Sequence, residues 1–353
     1  MNQAFISETQ LKFIRMNRTI IIAEAGVNHN GELPMALDLV SAAAEAGADY
    51  IKFQTFIANK LVTSSAKKAK YQLNPSDESE TQLSMLQKLE LTHEDHLAII
   101  DHCNKCGIKF LSTAFDPISS DFLHSLDLDL IKIPSGELTN LPFLISCAKQ
   151  RKMTLLSTGM ADLQEIRDAL KILLNEGLSI DDIVILHCNT DYPTAFEDAN
   201  LLAINHLRNE FNCKVGFSDH TLGVEAPLAA VSLGASVIEK HFTLDRNLQG
   251  PDHAASIEPK DLKILIQFIR NVEVALGDGI KKPTSSEYLN RSVVRKSIHL
   301  SKPLVRGDII RESDLIMKRP GDGISPMKMF EVIGKKIQYD LPVDHKLSLA
   351  DLL

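Results

Sequence analysis

Along the chain, short runs of Ile, Val, Leu and Phe alternate with longer stretches in which apolar residues return every three or four positions. The runs are "TIIIAEAG", "DYIKFQ", "IKFLST", "DLIKIPSGE", "MTLLSTG", "DIVILHCN", "CKVGFSD" and "SVIEKHF". Between them lie amphipathic segments such as "PMALDLVSAAAEAG", "LQEIRDALKILLNEG" and "APLAAVSLG". The first kind predicts strands buried on both faces, and the second predicts helices with one apolar side. Eight such units, with a core at about residues 18–278, predict a parallel (β/α)8 TIM barrel.

The barrel domain is expected to span 1–283, with a linker at 284–291 where "VEVALGDGIKKPTSSE" turns rich in Gly, Lys, Pro and Ser. A small β-rich module is then expected over 292–353. Two segments in it, "KSIHLSKPLVRGDIIRESDL" and "KKIQYDLPVDHKLSLADL", each pass from a short strand through a proline turn to a terminal Asp-Leu, which predicts pseudo-symmetry. The longest connection, Thr55 to Leu91, contains "SSAKKAKYQLNPSDESETQ". It is too polar for a core, and a long loop on the catalytic face is expected to be functional.

Composition narrows the class. A chain of 353 residues with 44% hydrophobic and 24% charged residues fits a two-domain globular protein, and it has no apolar run long enough for a transmembrane helix. The first 18 residues lack the apolar core of a secretion signal, so the expected location is cytoplasmic. A net charge of −8 argues against a nucleic-acid partner, whose phosphates the average surface would repel. Five cysteines, an odd number, predict reduced thiols, and Cys103 and Cys106 of "DHCNKCG" read as two helix cysteines rather than a redox or zinc pair.

Active sites of such barrels form at the C-terminal strand ends. Those ends supply Glu24, Lys52, Gln54, Thr113, Lys132, Ser135, Glu137, Ser157, Asn189, Thr190, Tyr192, Ser218, His220, Glu239 and His241. Alternation puts Lys52 with Gln54, Ser218 with His220, and Glu239 with His241 on common faces. Burying so many charges as packing alone would cost several kcal/mol, so a ligand is expected. Lys52, Lys132, Ser135, Ser157 and Ser218 suit a small anion such as a phosphate. His220 and His241 suit either a divalent metal with open positions or a hydrogen-bonding pair, and geometry alone leaves both open.

These residues fall in motifs. "IIAEAGVNHNG", "KFQ", "IKIPSGE", "LSTGM", "GFSDHT", "EKHFTLD" with "GPDHAAS", and "KRPGDGISP" together resemble the sialic acid (nonulosonate) synthases over nearly the whole chain, including an antifreeze-like (SAF) C-terminal module. "AKKAKYQL", "DESETQLSMLQKLEL" and "GDGIKK" are most similar to the legionaminic acid branch.

The resemblance implies condensation of phosphoenolpyruvate with an unphosphorylated N-acylated sugar aldehyde. For that branch the acceptor would be 2,4-diacetamido-2,4,6-trideoxymannose and the products N,N'-diacetyllegionaminate and phosphate. N-acetylneuraminate or pseudaminate synthesis is the alternative. Phe53 stands where capsule-type sialic acid synthases often carry His, which weakens N-acetylmannosamine as the acceptor.

The resemblance further implies that His220 and His241 bind Mn2+ or Mg2+, and that Lys52, Thr113, Lys132, Ser135, Ser157 and Ser218 bind phosphoenolpyruvate. Thr190 occupies a slot often filled by Asn. Gln54, Tyr192 and Asp252 would hold sugar hydroxyls, while Glu24 and Glu137 would handle protons or position the attacking water. A domain-swapped homodimer would place Arg319 over its partner's sugar site. Three rivals remain: a class I aldolase with Lys132 or Lys240 as Schiff base, a condensing enzyme for a phosphorylated sugar, and a non-catalytic ice- or carbohydrate-binding protein.

Overall fold

A computed structural model describes residues 18–68 and 80–353. The amino-terminal stretch and the middle of the loop after the second strand, both interpreted above, therefore lie outside the described residues. The chain divides into two units, Met1–Gly277 and Asp278–Leu353.

In the first unit eight strands form at the eight apolar runs: β1 (Ile20–Gly26), β2 (Tyr50–Thr55), β3 (Lys109–Ala114), β4 (Leu130–Ile133), β5 (Met153–Ser157), β6 (Ile183–Cys188), β7 (Lys214–Asp219) and β8 (Val237–His241). One main helix follows each: α1 (Leu33–Ala46), α2 (His93–Cys106), α3 (Pro117–Ser125), α4 (Leu141–Lys149), α5 (Leu163–Asn175), α6 (Ala203–Phe211), α7 (Glu225–Ser232) and α8 (Pro259–Leu276). The paired strands run parallel in the order β3-β2-β1-β8-β7-β6-β5-β4, and β3 and β4 at its two ends lie side by side, which closes the barrel.

The helices obey their sequence signals. On α5 the buried residues Ile166, Ala169, Leu170 and Leu173 return at helical spacing, and Asp162 and Glu165 form a reciprocal capping box at its start. Thr92 and Asp95 do the same for α2, which also carries Cys103 and Cys106 as free thiols.

Alternation along the strands separates two apolar layers. Ala23, Ile51, Phe53, Phe217 and Ile238 face the helices within the large outer core. Ile22, Tyr50, Leu111, Leu130, Leu155, Val184, Leu186 and Val237 form a second cluster, which fills the barrel interior as a packed floor. Gly216 shows how tight that floor is, because a Cβ there would stand 2.5 Å from Leu186 Cδ2 and 2.7 Å from the Val237 carbonyl.

The second unit begins with a helix, α9 (Ser285–Val294), over the stretch read as a linker. Its start is a capping box between Thr284 and Glu287, a signal present in "TSSE". A short antiparallel pair follows, β9 (Ser297–Leu300) with β10 (Leu315–Lys318), around a core of Ile298, Leu300, Leu304, Ile310, Ile324, Val332, Ile337, Leu341 and Leu347. The predicted pseudo-symmetry is visible in its turns. Asp314 accepts the Arg311 N–H at 2.9 Å and Asp351 accepts the Ser348 N–H at 2.7 Å, each closing a 3-10 turn at a corresponding Asp-Leu.

Candidate active site

One inward position beyond the floor, the same strands turn polar. Glu24, Lys52, Gln54, Thr113, Lys132, Ser157, Ser218, Glu239 and His241 line a cleft of about 300 Å³ at the C-terminal mouth. Ser135, Tyr192 and His220 reach it from the strand ends and following loops. Phe56, Leu61, Val62, Leu86 and Phe115 add an apolar wall, of which Leu61, Val62 and Leu86 belong to the long connection after β2.

The floor of this cleft is an ion network. Lys52 is paired with Glu24, donates to Thr113 Oγ1 at 3.0 Å, and stands 3.7 Å from Glu239 Oε2. Lys132 reaches Glu239 Oε1 at 3.0 Å, and the Ser218 hydroxyl donates to the same oxygen at 2.9 Å. All four charged side chains are buried. Burial works against charge on Glu239, but Lys132 and Lys52 outweigh it and hold that carboxyl at about 2. Burial pushes Glu24 up, and Lys52 offsets this only in part while Glu239 repels. The two carboxyls are thus split, one keeping its charge and the other retaining a proton more readily, as acid–base pairs require.

The two imidazoles stand beside this network with ring centroids 5.3 Å apart, and Tyr192 lies 4.2 Å from the ring of His220. His220 Nδ1 donates to the Asn189 carbonyl at 2.6 Å, which fixes the tautomer and leaves the Nε2 lone pair toward the mouth. His241 Nδ1 is buried without a hydrogen bond and stands 3.8 Å from Asp252 Oδ2. Burial pushes His220 down to about 4; burial, and then the neighbouring His220, push His241 well below its ordinary value. Both rings are therefore neutral at physiological pH. Asp252, buried and near Glu24, is raised to about 7.

Behind the histidines, on the helix-facing side of the strands, lies a second buried pair. Lys240 Nζ stands 2.5 Å from Asp219 Oδ2 and donates to the Thr221 carbonyl at 2.6 Å. The loop after β8 is held from the other side. Asn28 Nδ2 donates at 2.9 Å to both the Phe242 carbonyl and Ser256 Oγ, and Ser256 Oγ donates to the Asp252 carbonyl at 2.7 Å.

Most mouth residues singled out from the sequence meet in the cleft, and five do not: Asn189, whose Nδ2 donates to the Asp198 carbonyl at 2.8 Å, and four others. Glu137 sits on a 3-10 turn and accepts from Asn140 Nδ2 at 2.5 Å, outside the lining. Thr190 is exposed on the loop after β6, packed near Gly159. Gly159 leaves no room for a side chain, since a Cβ would stand 2.6 Å from Ser135 Oγ; this keeps the Ser135 hydroxyl in place. Asp252 is buried behind His241, and Arg319 belongs to the second unit.

Phe53 faces the helix layer and stacks on Phe110 at 5.9 Å, so it bears on a ligand only through packing. Among the Schiff-base candidates, Lys240 points away from the mouth into its ion pair. Glu239, read as a strand end without a role, is the residue the sequence left out, because the lysines that flank it, Lys132 and Lys52, lie more than 100 positions away along the chain.

Comparison with known proteins gives a consistent picture. Residues 39–281 match the NeuB family and residues 295–353 match the SAF domain. The chain is 52% identical to N,N'-diacetyllegionaminic acid synthase of Campylobacter jejuni, over 91% of this chain and 96% of that protein. It is 50% identical to the Legionella pneumophila protein of the same name, over 91% of each. The crystal structure of N-acetylneuraminic acid synthetase from Leptospira borgpetersenii superposes with a TM-score of 0.68 at 33% identity, covering 78% of this chain and 90% of that one.

Proposed function

We propose that this chain, which belongs to the NeuB family and ends in a SAF domain, is a transferase that condenses phosphoenolpyruvate with an N-acylated sugar aldehyde to give N,N'-diacetyllegionaminate and phosphate. The observation that carries the reading is the likeness, about half of all positions over nine-tenths of the chain, to synthases of that product. The cleft supports it. Lys52, Lys132, Thr113, Ser135, Ser157 and Ser218 supply cations and hydroxyls for the phosphate and carboxylate of phosphoenolpyruvate. The apolar wall of Phe56, Leu61, Val62 and Leu86 suits the methyl groups of a 6-deoxy, diacetamido sugar, with Gln54 and Tyr192 for its polar groups; Asp252, 3.8 Å behind His241, would act through that imidazole.

In the mechanism we propose, Glu24 holds or moves a proton at the reacting carbons, since burial favours its protonated form. Lys52 and Lys132 stabilise the charge that develops as the phosphate leaves. Glu137 and Thr190 act through the loops that carry Ser135 and Tyr192.

The donors also fit a divalent ion. Two neutral, buried imidazoles, one oriented by a backbone carbonyl, would supply two of the six positions of an octahedral metal shell. Among the described residues no three His, Cys, Asp or Glu side chains converge as a complete site, so substrate and water would fill the rest. Mn2+ or Mg2+ held there would polarise the aldehyde oxygen. Replacing His220 or His241 with Ala is expected to cost at least about 100-fold in rate. High Mn2+ should partly restore it, and full rates in chelator-treated enzyme would refute the metal.

We place the protein in the cytoplasm, where its five free thiols stay reduced. Among the described residues, no helix is long and apolar enough to cross a membrane. We also propose a homodimer in which the SAF domain of one protomer covers the mouth of the other. The segments after β4, β5 and β6 expose Leu141 at the start of α4, Met160, Phe196 and Leu202, an apolar rim that a partner would cover. Residues 292–353 carry 11 Lys and Arg against 8 Asp and Glu, whereas the rest of the chain carries 27 against 38, so the two surfaces attract. Arg319→Ala and His241→Ala enzymes, each inactive, should regain activity when mixed and shown to exchange subunits. Heterodimers without activity would count against a shared site.

The test of the reaction is phosphate release from phosphoenolpyruvate with a panel of unphosphorylated N-acyl sugars. The diacetamido sugar is expected to exceed N-acetylmannosamine by at least about tenfold in kcat/KM, about 1.4 kcal/mol of discrimination. Equal use of the two sugars would move the proposal to sialic acid synthesis.

A further inference from the structure

Glu239 occupies a place that suits an incoming anion. Its Oε1 accepts from Lys132 Nζ at 3.0 Å and from Ser218 Oγ at 2.9 Å, while Oε2 lies 3.7 Å from Lys52 Nζ. These three donors are the ones assigned above to phosphoenolpyruvate, and the inference rests on that reading. Ser157 Oγ lines the same cleft, 3% exposed, with no hydrogen-bond partner. One hydroxyl of the mouth is therefore left without a partner by its own carboxylates.

Glu24 on β1 pairs with Lys52 and Glu239 on β8 pairs with Lys132, so each lysine has an acid from a separate strand. Glu239 does more than pair: it also accepts from the Ser218 hydroxyl and faces Lys52 at 3.7 Å, so one carboxylate spans donors from β2, β4 and β7 as a phosphate would. The backbone of Glu239 is fixed in the ladder, paired with Ile22 on β1 and Ser218 on β7. Only rotation of the side chain could carry the carboxylate away from an arriving anion.

We propose that Glu239 is a built-in counter-anion. Between turnovers it neutralises Lys132 and Lys52, and when phosphate forms in the cleft it competes for the same donors and repels the product. Its charge weakens the hold on free phosphate and so speeds release, which lets the enzyme use strong cations for chemistry without being trapped by its own product.

The experiment is calorimetric titration of the full-length protein with inorganic phosphate, alongside product inhibition in steady-state assays. Glu239→Gln keeps the size of the side chain and an oxygen for Ser218 but removes the charge. The variant is expected to bind phosphate at least about tenfold more tightly, with product inhibition tightened to match and kcat lowered. A folded Glu239→Gln protein that binds phosphate no more tightly than the parent overturns the proposal. Should that variant fail to fold, Glu239→Asp carries the test, because its shorter reach loosens the contacts to both lysines; phosphate is expected to bind about threefold more tightly, and unchanged affinity refutes the counter-anion. Phosphate that binds the parent but is not displaced by phosphoenolpyruvate would instead overturn the reading of the cleft, and that is visible before any substitution is made.

Discussion

The interior of the barrel is two different places on the same strands. At Ile22, Leu155 and Val237 the inward side chains close into a dry floor; two residues further along, Glu24, Ser157 and Glu239 face a cleft filled with ionic contacts. The same strands run through both layers, with one register shift between Glu24 and Gly26 at the mouth, so the difference lies mainly in the side chains. The floor gains stability from burial, about 25 cal/mol for each Å² of apolar surface. The mouth gives some of that up, because desolvating charges costs more than pairing them returns unless a ligand completes the set. What one layer contributes in folding, the next spends on binding.

Sharpening that contrast calls for removing charge from the mouth without leaving a charge unpaired. Lys132→Met combined with Glu239→Met is expected to melt no lower than the parent, since hydrophobic replacement of a buried pair is neutral or stabilising. Yet it should lose at least about 1000-fold in kcat/KM, about 4 kcal/mol of transition-state stabilisation. Calorimetry and phosphate-release rates on the same sample decide the matter, and a variant that melts far lower would mean the mouth is structural after all.

The reverse test opens the floor. Leu155→Ala is expected to cost about 3 kcal/mol of stability by leaving a cavity, read as a shift in the denaturation midpoint. The folded fraction should keep its KM for phosphoenolpyruvate. A changed KM would show that the two layers are coupled.

The smallest effect is expected in the SAF unit. In both closing turns burial raises the aspartate, but other contacts win. The Lys302 ammonium and the Arg311 N–H hold Asp314 below its ordinary range, and the Ser348 N–H and hydroxyl do the same for Asp351. A depressed folded value means that stability is fully present above the unfolded value near 3.9 and fades as pH falls through the folded one. Asp351→Asn should flatten that acid limb and cost about 1 kcal/mol at neutral pH, followed by far-UV dichroism against pH.

Period-two and helical spacing placed every barrel strand, because strands buried on both faces leave long apolar runs that no loop imitates. The mouth-facing parity of Lys52, Ser218 and His241 followed from the same alternation. What pairs with what did not. Glu239 is identifiable from sequence as a strand end, but not as the partner of lysines on β2 and β4, because closure of the barrel, not local spacing, brings them together. Asn28 sits in a motif that could be quoted from the sequence, while its work is done on Phe242 and Ser256 more than 200 residues away. The helix at Ser285–Val294 is a different case. Its capping box lies in "TSSE", next to the Gly, Lys and Pro that read as a linker.

The Asp219–Lys240 pair has a consequence for how the barrel assembles. In β8 the order Glu239, Lys240, His241 alternates two mouth groups with one outward lysine, so a slip of one residue would turn Lys240 inward and both of its neighbours out. Such a slip would leave Asp219 buried without its cation, a loss of about 3–5 kcal/mol. The ion pair on the far side of the sheet thus acts as a register lock. It makes the arrangement with both imidazoles inward the inexpensive one, and the slipped barrel, which would present an amine where the histidines belong, carries the cost of the broken pair.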